Sequence, residues 1–337
     1  MQYRIHNQLK YIKYIFICSF LKIISCEAND GVMDISTGGL TLSKENNISM
    51  NSEVLVISKT KISVSYEFEN KSNKEIEVVI GFPIPPYGTW EPALGEPFPP
   101  NFDDFTVFVE GEKITYSKEV KAVVENGDDL TSFFKSRNID YPNFGGFNYE
   151  IFESGKIKEF PAYQINKLKN EDRKFLMSKN ALTKDGFPLW LKKVTYYWTQ
   201  KFPPQKVVHI SHSYSPYIGH SIGNTAYEKP FEYERAGGAC LDKSLDKTLR
   251  HYMTNEGKGY IEYSWTRYIL QTANSWKSPI QNFKLILKKE PSEKTSKQYL
   301  SLCWNGKFNK LSDTEFVSEI KDFVPDKDIL VYWYELK

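Results

Sequence analysis

The stretch Lys61-Ile62-Ser63-Val64-Ser65-Tyr66-Glu67-Phe68-Glu69 decides the fold. Apolar residues recur at every second position, which is the period of a half-buried antiparallel strand rather than a helix. Asn70-Lys71-Ser72-Asn73-Lys74 follows as a polar turn, and residues 75–82 read as the returning strand. Upstream, Val54-Leu55-Val56-Ile57 is a short strand. Downstream, residues 83–100 are proline-rich and lack the N–H donors that a sheet interior needs. Strands resume at Phe105-Thr106-Val107-Phe108-Val109, turn at Glu110-Gly111-Glu112, and continue through residues 114–124. Residues 29–126 therefore read as an N-terminal β-sandwich domain of hairpins.

Residues 127–187 change character and read as a helical and loop insertion. Asp128-Asp129-Leu130-Thr131-Ser132-Phe133-Phe134 suits a short helix, with carboxylates near its positive end. Ile165, Leu168, Phe175 and Leu176 give residues 163–180 one apolar stripe, broken near Asn170. Residues 188–337 then form a C-terminal β-rich domain. Its strands fall at 189–202, 207–217, 259–270, 282–288, 299–304 and 329–334, with a long loop at 218–238. One helix interrupts them at 240–253, where Leu241, Leu245, Leu249 and Tyr252 share a side. The fold class is mainly β (α+β): β-sandwich-type antiparallel sheets, a small helical insertion, and one helix near Cys240.

The first 28 residues read as an export signal. Arg4, Lys10 and Lys13 precede the uncharged run Tyr14-Ile15-Phe16-Ile17-Cys18-Ser19-Phe20-Leu21, and small residues surround Cys26-Glu27-Ala28. Such a run is too short to span a bilayer, which takes about 20 residues. Cleavage is expected between Ala28 and Asn29. Ile23-Ile24-Ser25-Cys26 partly resembles a lipid-anchoring cleavage site, but Ile24 is a poor fit there, so soluble release is favoured over an anchor at Cys26. Cleavage takes the 44 basic and 42 acidic residues to 40 and 41, and the formal charge from +2 to −1. A near-neutral mature chain gives no case for nucleic acid as partner. No later apolar stretch is long enough to cross a membrane. The mature chain keeps two cysteines, Cys240 and Cys303. An even pair in an oxidising compartment reads as one disulfide, which is favoured over two buried thiols.

No catalytic constellation emerges. There is no His-Glu-x-x-His. His209 and His212 point to opposite faces of a strand, so no metal site is expected, nor any cofactor. His212 reads as a structural residue beside Tyr214. Asp103-Asp104, Asp128-Asp129 and Asp326-x-Asp328 supply too few oxygens for calcium. Asn274, Trp276 and Pro279 follow a strand at a turn, where a large ring either caps the core or faces a ligand. Capping is favoured. Asn274 and Trp276 nevertheless stand as the candidate binding surface, which requires Trp276 to lie exposed beside other aromatics such as Trp90 or Tyr217.

Several blocks resemble one family when taken in order. They are Asn29-Asp30, Thr37-Gly38-Gly39-Leu40, Val64-Ser65-Tyr66-Glu67-Phe68-Glu69-Asn70, Phe82-Pro83-Ile84-Pro85, His212-Ser213-Tyr214-Ser215-Pro216 and Cys240-Leu241-Asp242. Tyr268-Ile269-Leu270, Thr272-Ala273-Asn274 and Trp276 continue the series. The chain is similar to an exported bacterial family catalogued as domain of unknown function 4424, departing from its pattern at Ala273 and Ser278. The resemblance implies an exported β-rich domain with a cysteine pair like Cys240 and Cys303, and it implies no activity. The expected function is a non-enzymatic binding or interaction protein of the cell envelope, periplasmic or secreted, with an envelope component or protein as partner. The alternatives are an envelope-polymer hydrolase or a carbohydrate-binding module.

Overall fold

The computed structural model describes residues 29–36, 39–88, 104–124, 126–139, 141, 168–184, 188–222, 240–255, 260–277, 279–290 and 297–337. Residues 1–28, read above as an export signal, with Ala28 and the cysteine of the alternative anchor, lie outside the described residues, as do Trp90 and Ser278.

The first strands are β1 (Gly31–Ser36), β2 (Gly39–Leu42), β3 (Ile48–Ile57), β4 (Ile62–Asn70) and β5 (Ile76–Pro83). After them come β6 (Tyr87–Gly88), β7 (Thr106–Val109), β8 (Glu112–Lys113) and β9 (Ser117–Val123). Two helices follow, α1 (Thr131–Ser136) and α2 (Asn170–Ser178), and then β10 (Leu191–Phe202), β11 (Val207–Tyr214) and β12 (Gly219–Ile222). The last part runs α3 (Lys243–Asn255), β13 (Ile261–Tyr268), a 3₁₀ turn (Gln271–Ser275), β14 (Ile280–Lys288) and β15 (Lys297–Leu302). It ends with β16 (Asn309–Lys310), β17 (Glu315–Phe323) and β18 (Ile329–Leu336).

These strands form three sheets. One is ordered β2-β1-β5-β10-β6, with β9 also on β10; a second is β16-β17-β14-β3-β4-β11-β7-β8; the third is β12-β13-β18-β15. The fold is thus mainly β, with antiparallel sheets and few helices. One pair departs from the antiparallel expectation: β14 runs parallel to β3, pairing Leu285 with Leu55. Parallel neighbours need a long crossover, and more than 200 residues separate these two strands in sequence. Both larger sheets draw strands from the 29–126 stretch and from the 188–337 stretch, so the positions 126 and 188 do not separate sheets.

The alternation that decides the fold appears directly in burial. Ile62, Val64, Tyr66 and Phe68 of β4 all lie inside, with glutamates and serines between them outside or at the margin. Asn70 closes the hairpin from within: its Nδ2 donates to the carbonyls of Lys74 (2.7 Å) and Phe202 (2.8 Å), and its Oδ1 accepts from Ser72 N–H. Such side-chain-to-backbone bonds stand in for a turn's missing ladder. The two larger sheets face each other across an aromatic core, with Phe105 stacked on Tyr196 at 4.2 Å and Phe68 edge-on to Phe202 at 5.9 Å. Pro83 ends β5 opposite Thr195, and the short β6 shows that pairing extends a little past it.

A satellite core forms where α1 and α2 pack on β9, with Phe134 against Trp190 at 4.6 Å. A third covers the four-stranded sheet, where Leu245 and Leu249 of α3 lie against Tyr332 and Tyr334. The Cys240–Cys303 disulfide, with Cα atoms 4.9 Å apart, ties the start of that helix to the end of β15. It closes a loop of 63 residues, which limits the unfolded chain by roughly 4 kcal/mol in the entropy model. Replacing both cysteines by serine should lower unfolding free energy by up to about 4 kcal/mol, read by denaturant titration without reductant.

Candidate functional site

The densest chemistry lies in the core, where the chain leaves Asn29. A bulge sets it up: between Met50 and Ser52 the β3–β4 register shifts by one residue. An extra residue reverses which side chains face inward. Ile48 and Met50 point in before it; Glu53, Leu55 and Ile57 point in after it. A carboxylate is thereby carried into the interior. Asp30 enters from the start of β1, and both acids have no exposed surface.

The partners come from many elements. Asn29 Nδ2 donates to both oxygens of Glu53, at 3.2 and 3.1 Å. The Oδ1 of Asn29 accepts from the hydroxyls of Tyr66 and Tyr268 and from Asp30 N–H. The backbone N–H of Asn29 donates to Thr272 Oγ1 at 2.5 Å, and the Thr272 hydroxyl donates back to the Asn29 carbonyl at 2.6 Å. Asp30 Oδ1 lies 3.1 Å from His212 Nε2, while the other oxygen of Asp30 and Nδ1 of His212 have no hydrogen-bond partner.

Burial dominates the electrostatics. It raises the Asp30 carboxyl, an effect that His212 partly offsets. It raises Glu53 to about 8, with Asn29 opposing and the Asp30 charge adding to the rise. Desolvation disfavours an unpaired charge; the imidazole of His212 faces Asp30, while Glu53 is held by the amide of Asn29.

Trp276 belongs to this centre and does not face solvent. The 3₁₀ turn drives its ring into the core, 4.6 Å from Phe68, and Nε1 donates to the Asp30 carbonyl at 2.7 Å. Its exposure is 0%, which corrects the reading of Asn274 and Trp276 as a binding surface. Asn274 instead donates to the Pro325 carbonyl. Tyr217, the proposed aromatic neighbour, stacks on Tyr87. His212 is structural, as expected, but its partner is Asp30. His209, on the opposite face, is exposed beside Glu110 and Glu67. The acidic pairs find ordinary partners too: Asp128 meets Lys179 at 2.9 Å, and Asp328 accepts from Leu270 N–H.

A different region offers access to a ligand. A cleft of about 470 Å³ lies between α3 and the end of β15, beside the disulfide. Tyr299, Leu302, Trp304, Phe308 and Phe316 give it an apolar wall, and Lys289 supplies a cation over the Phe316 ring at 5.0 Å. Burial and Lys310 lower the Lys289 amine below its ordinary range. Trp304 is held by a 2.8 Å bond from Nε1 to Ser318 Oγ. Asp242, Ser244, Thr248 and Ser301 add polar groups to this lining, and its volume falls in the range of small-molecule sites. The aromatic row of the third sheet, Tyr263, Trp265, Tyr332 and Tyr334, makes no such open platform, because Leu245 and Leu249 of α3 pack on it. Among the described residues no helix is long and apolar enough to cross a membrane, and no cluster of three or more His, Cys, Asp or Glu could hold a metal.

The chain belongs to the family described as "Domain of unknown function (DUF4424)", whose model matches residues 28–332. No curated protein matches it. Among solved structures, it is similar to a candidate nutrient-binding protein of Legionella pneumophila, at 13% identity and a TM-score of 0.41, over 91% of this chain and 70% of that one. It is also similar to a two-domain M1 zinc metallopeptidase bound to L-arginine, at 6% identity and a TM-score of 0.26, over 86% of this chain and 43% of that one.

The buried acids predict a pH dependence. While Asn29 remains peptide-linked, Glu53 holds its proton up to about pH 8 in the fold, against 4.5 ordinarily. The fold then binds the extra proton, so stability is full below about 4.5 and falls as pH rises through 8. Denaturant titrations of the uncleaved chain should show that decline, and Glu53→Gln should flatten it. Parallel curves for the two proteins would mean that Glu53 does not carry the slope.

Proposed function

Starting from membership of that family, we propose that the chain is an exported, non-enzymatic binding protein of the cell envelope. Its ligand site is the cleft beside the Cys240–Cys303 bridge, and the ligand has an apolar body and one anionic group. The cleft lining carries this reading. Aromatic and aliphatic walls favour an apolar body, because burying them against it removes surface from water. Lys289, partly desolvated and aimed over Phe316, gains most from an anion, since it regains the charge stabilisation that burial withholds. The bridge links the helix wall to the strand wall, so the cleft is pre-shaped and a ligand orders little on entry.

Export rests on the pattern of residues 1–28. A disulfide accords with an oxidising, non-cytoplasmic compartment. Release after Ala28 would leave a mature chain starting at Asn29, and the intact mass of the protein recovered from an exporting host tests this.

The binding reading predicts saturable enhancement or quenching of tryptophan fluorescence when a ten-carbon fatty acid is titrated into the purified protein. Lys289→Gln should weaken that binding by about tenfold, as loss of one desolvated charge contact does. The matching fatty alcohol should bind wild type and variant alike. Absence of saturation by either probe would remove the cleft from the proposal.

A further inference from the structure

We infer that cleavage between Ala28 and Asn29 places a free α-amino group inside the protein, where it becomes the missing cation of the Asp30–Glu53 centre. The inference rests on the export reading above and adds a structural role for the cut. Its first support is location. The first residues of a domain are ordinarily frayed and solvated. Asn29 and Asp30 are instead fully buried, and their backbone and side chains join elements more than 200 residues away.

The second support is chemical need. Asp30 is sealed in the core against one imidazole with its second oxygen lacking a hydrogen-bond partner, and Glu53 is buried beside it with only the amide of Asn29 to hold it. Burying an anion without a cation is strongly unfavourable, whereas a paired and hydrogen-bonded one is tolerated. The nitrogen of Asn29 is already in the centre, donating one hydrogen to Thr272, on the residue whose amide side chain holds Glu53. A peptide nitrogen has only that one hydrogen. An α-ammonium has three and a positive charge, with an ordinary pKa near 8.

The step itself is peptide hydrolysis by an export-side peptidase. Water gives its hydroxyl to the Ala28 carbonyl carbon and a hydrogen to the Asn29 nitrogen. The amine then takes a proton from solvent or from Glu53. No oxidant or reductant enters. The cut thus exchanges a neutral amide for a cation at a place where the surroundings are acidic.

The test uses the full chain expressed for export. Intact mass first establishes the N-terminus: an uncleaved chain defeats the export reading and this inference with it, whereas cleavage at any other position leaves export standing and overturns the inference. With Asn29 confirmed, the protein is acylated by an N-hydroxysuccinimide ester at about pH 7, folded and in denaturant, and the N-terminal peptide is quantified. The inference expects the folded amine to react at least about a hundredfold more slowly, since a buried, paired ammonium must first be exposed. A second protein carries Gly-Ser inserted between Ala28 and Asn29, so its ammonium lies outside the centre. It should melt about 5 °C or more below the authentic form, and Glu53→Gln should shrink that gap. Labelling at the unfolded rate, or equal melting temperatures, overturns the inference while leaving export intact. If the insertion prevents folding, the labelling arm still decides.

Discussion

Two carboxylates sealed in the core, Asp30 and Glu53, govern how everything around them is arranged. Acids deprived of water must find donors or stay protonated: Asn29 Nδ2 donates to Glu53 and His212 lies against Asp30, and the Asn29–Asp30 segment that carries this arrangement is held from the whole length of the chain. Tyr66 comes from β4, His212 from β11, Tyr268 from β13, and Thr272 and Trp276 from the turn that follows. Each of those bonds holds a distant segment to the start of β1. The mixing of early and late strands in both larger sheets has the same consequence: neither half buries its inner face alone. A polar knot of this kind is demanding, because a partly satisfied buried network costs more than an apolar core.

The cleft beside the disulfide follows a different logic. Its strand side is largely aromatic and aliphatic, its helix side adds Asp242, Ser244 and Thr248, and a covalent tie joins helix to strand beside it. The polar centre organises the fold; the cleft is where a second molecule has room.

Much of the architecture was legible in the sequence because a strand's period of two survives burial. The stretch from Lys61 to Glu69 predicted β4 within a residue, and the spacing of Leu245 and Leu249 predicted the inner side of α3. The Asn70 turn was readable for the same local reason. Other features needed neighbours. The strand at Glu315–Phe323 has weak alternation, and it exists because β14 lies beside it. Trp276 could have faced either way from its turn; Phe68 and the Asp30 carbonyl drew it inward. Glu53 left a faint signal, sharing parity with Leu55 and Ile57, and His212 shares parity with Ile210 and Tyr214. A polar residue in step with an apolar face marks a buried polar site. For Glu53 the mark is obscured, since Ile48 and Met50 upstream have the opposite parity and only the bulge reconciles them.

The sequence by itself determined the class of structure: strands by alternation, turns by Asn and Gly chemistry, a helix by its apolar side, and one cysteine pair. These are local properties, settled within a few residues by backbone sterics and the exclusion of apolar groups from water. Tertiary structure alone decided the parallel pairing of β14 with β3, the burial of Trp276, and the meeting of Asn29 and Asp30 with Glu53, His212 and Thr272. Those outcomes join residues far apart in the chain. Their energies depend on the shared loss of water around charged groups, which no single segment contains.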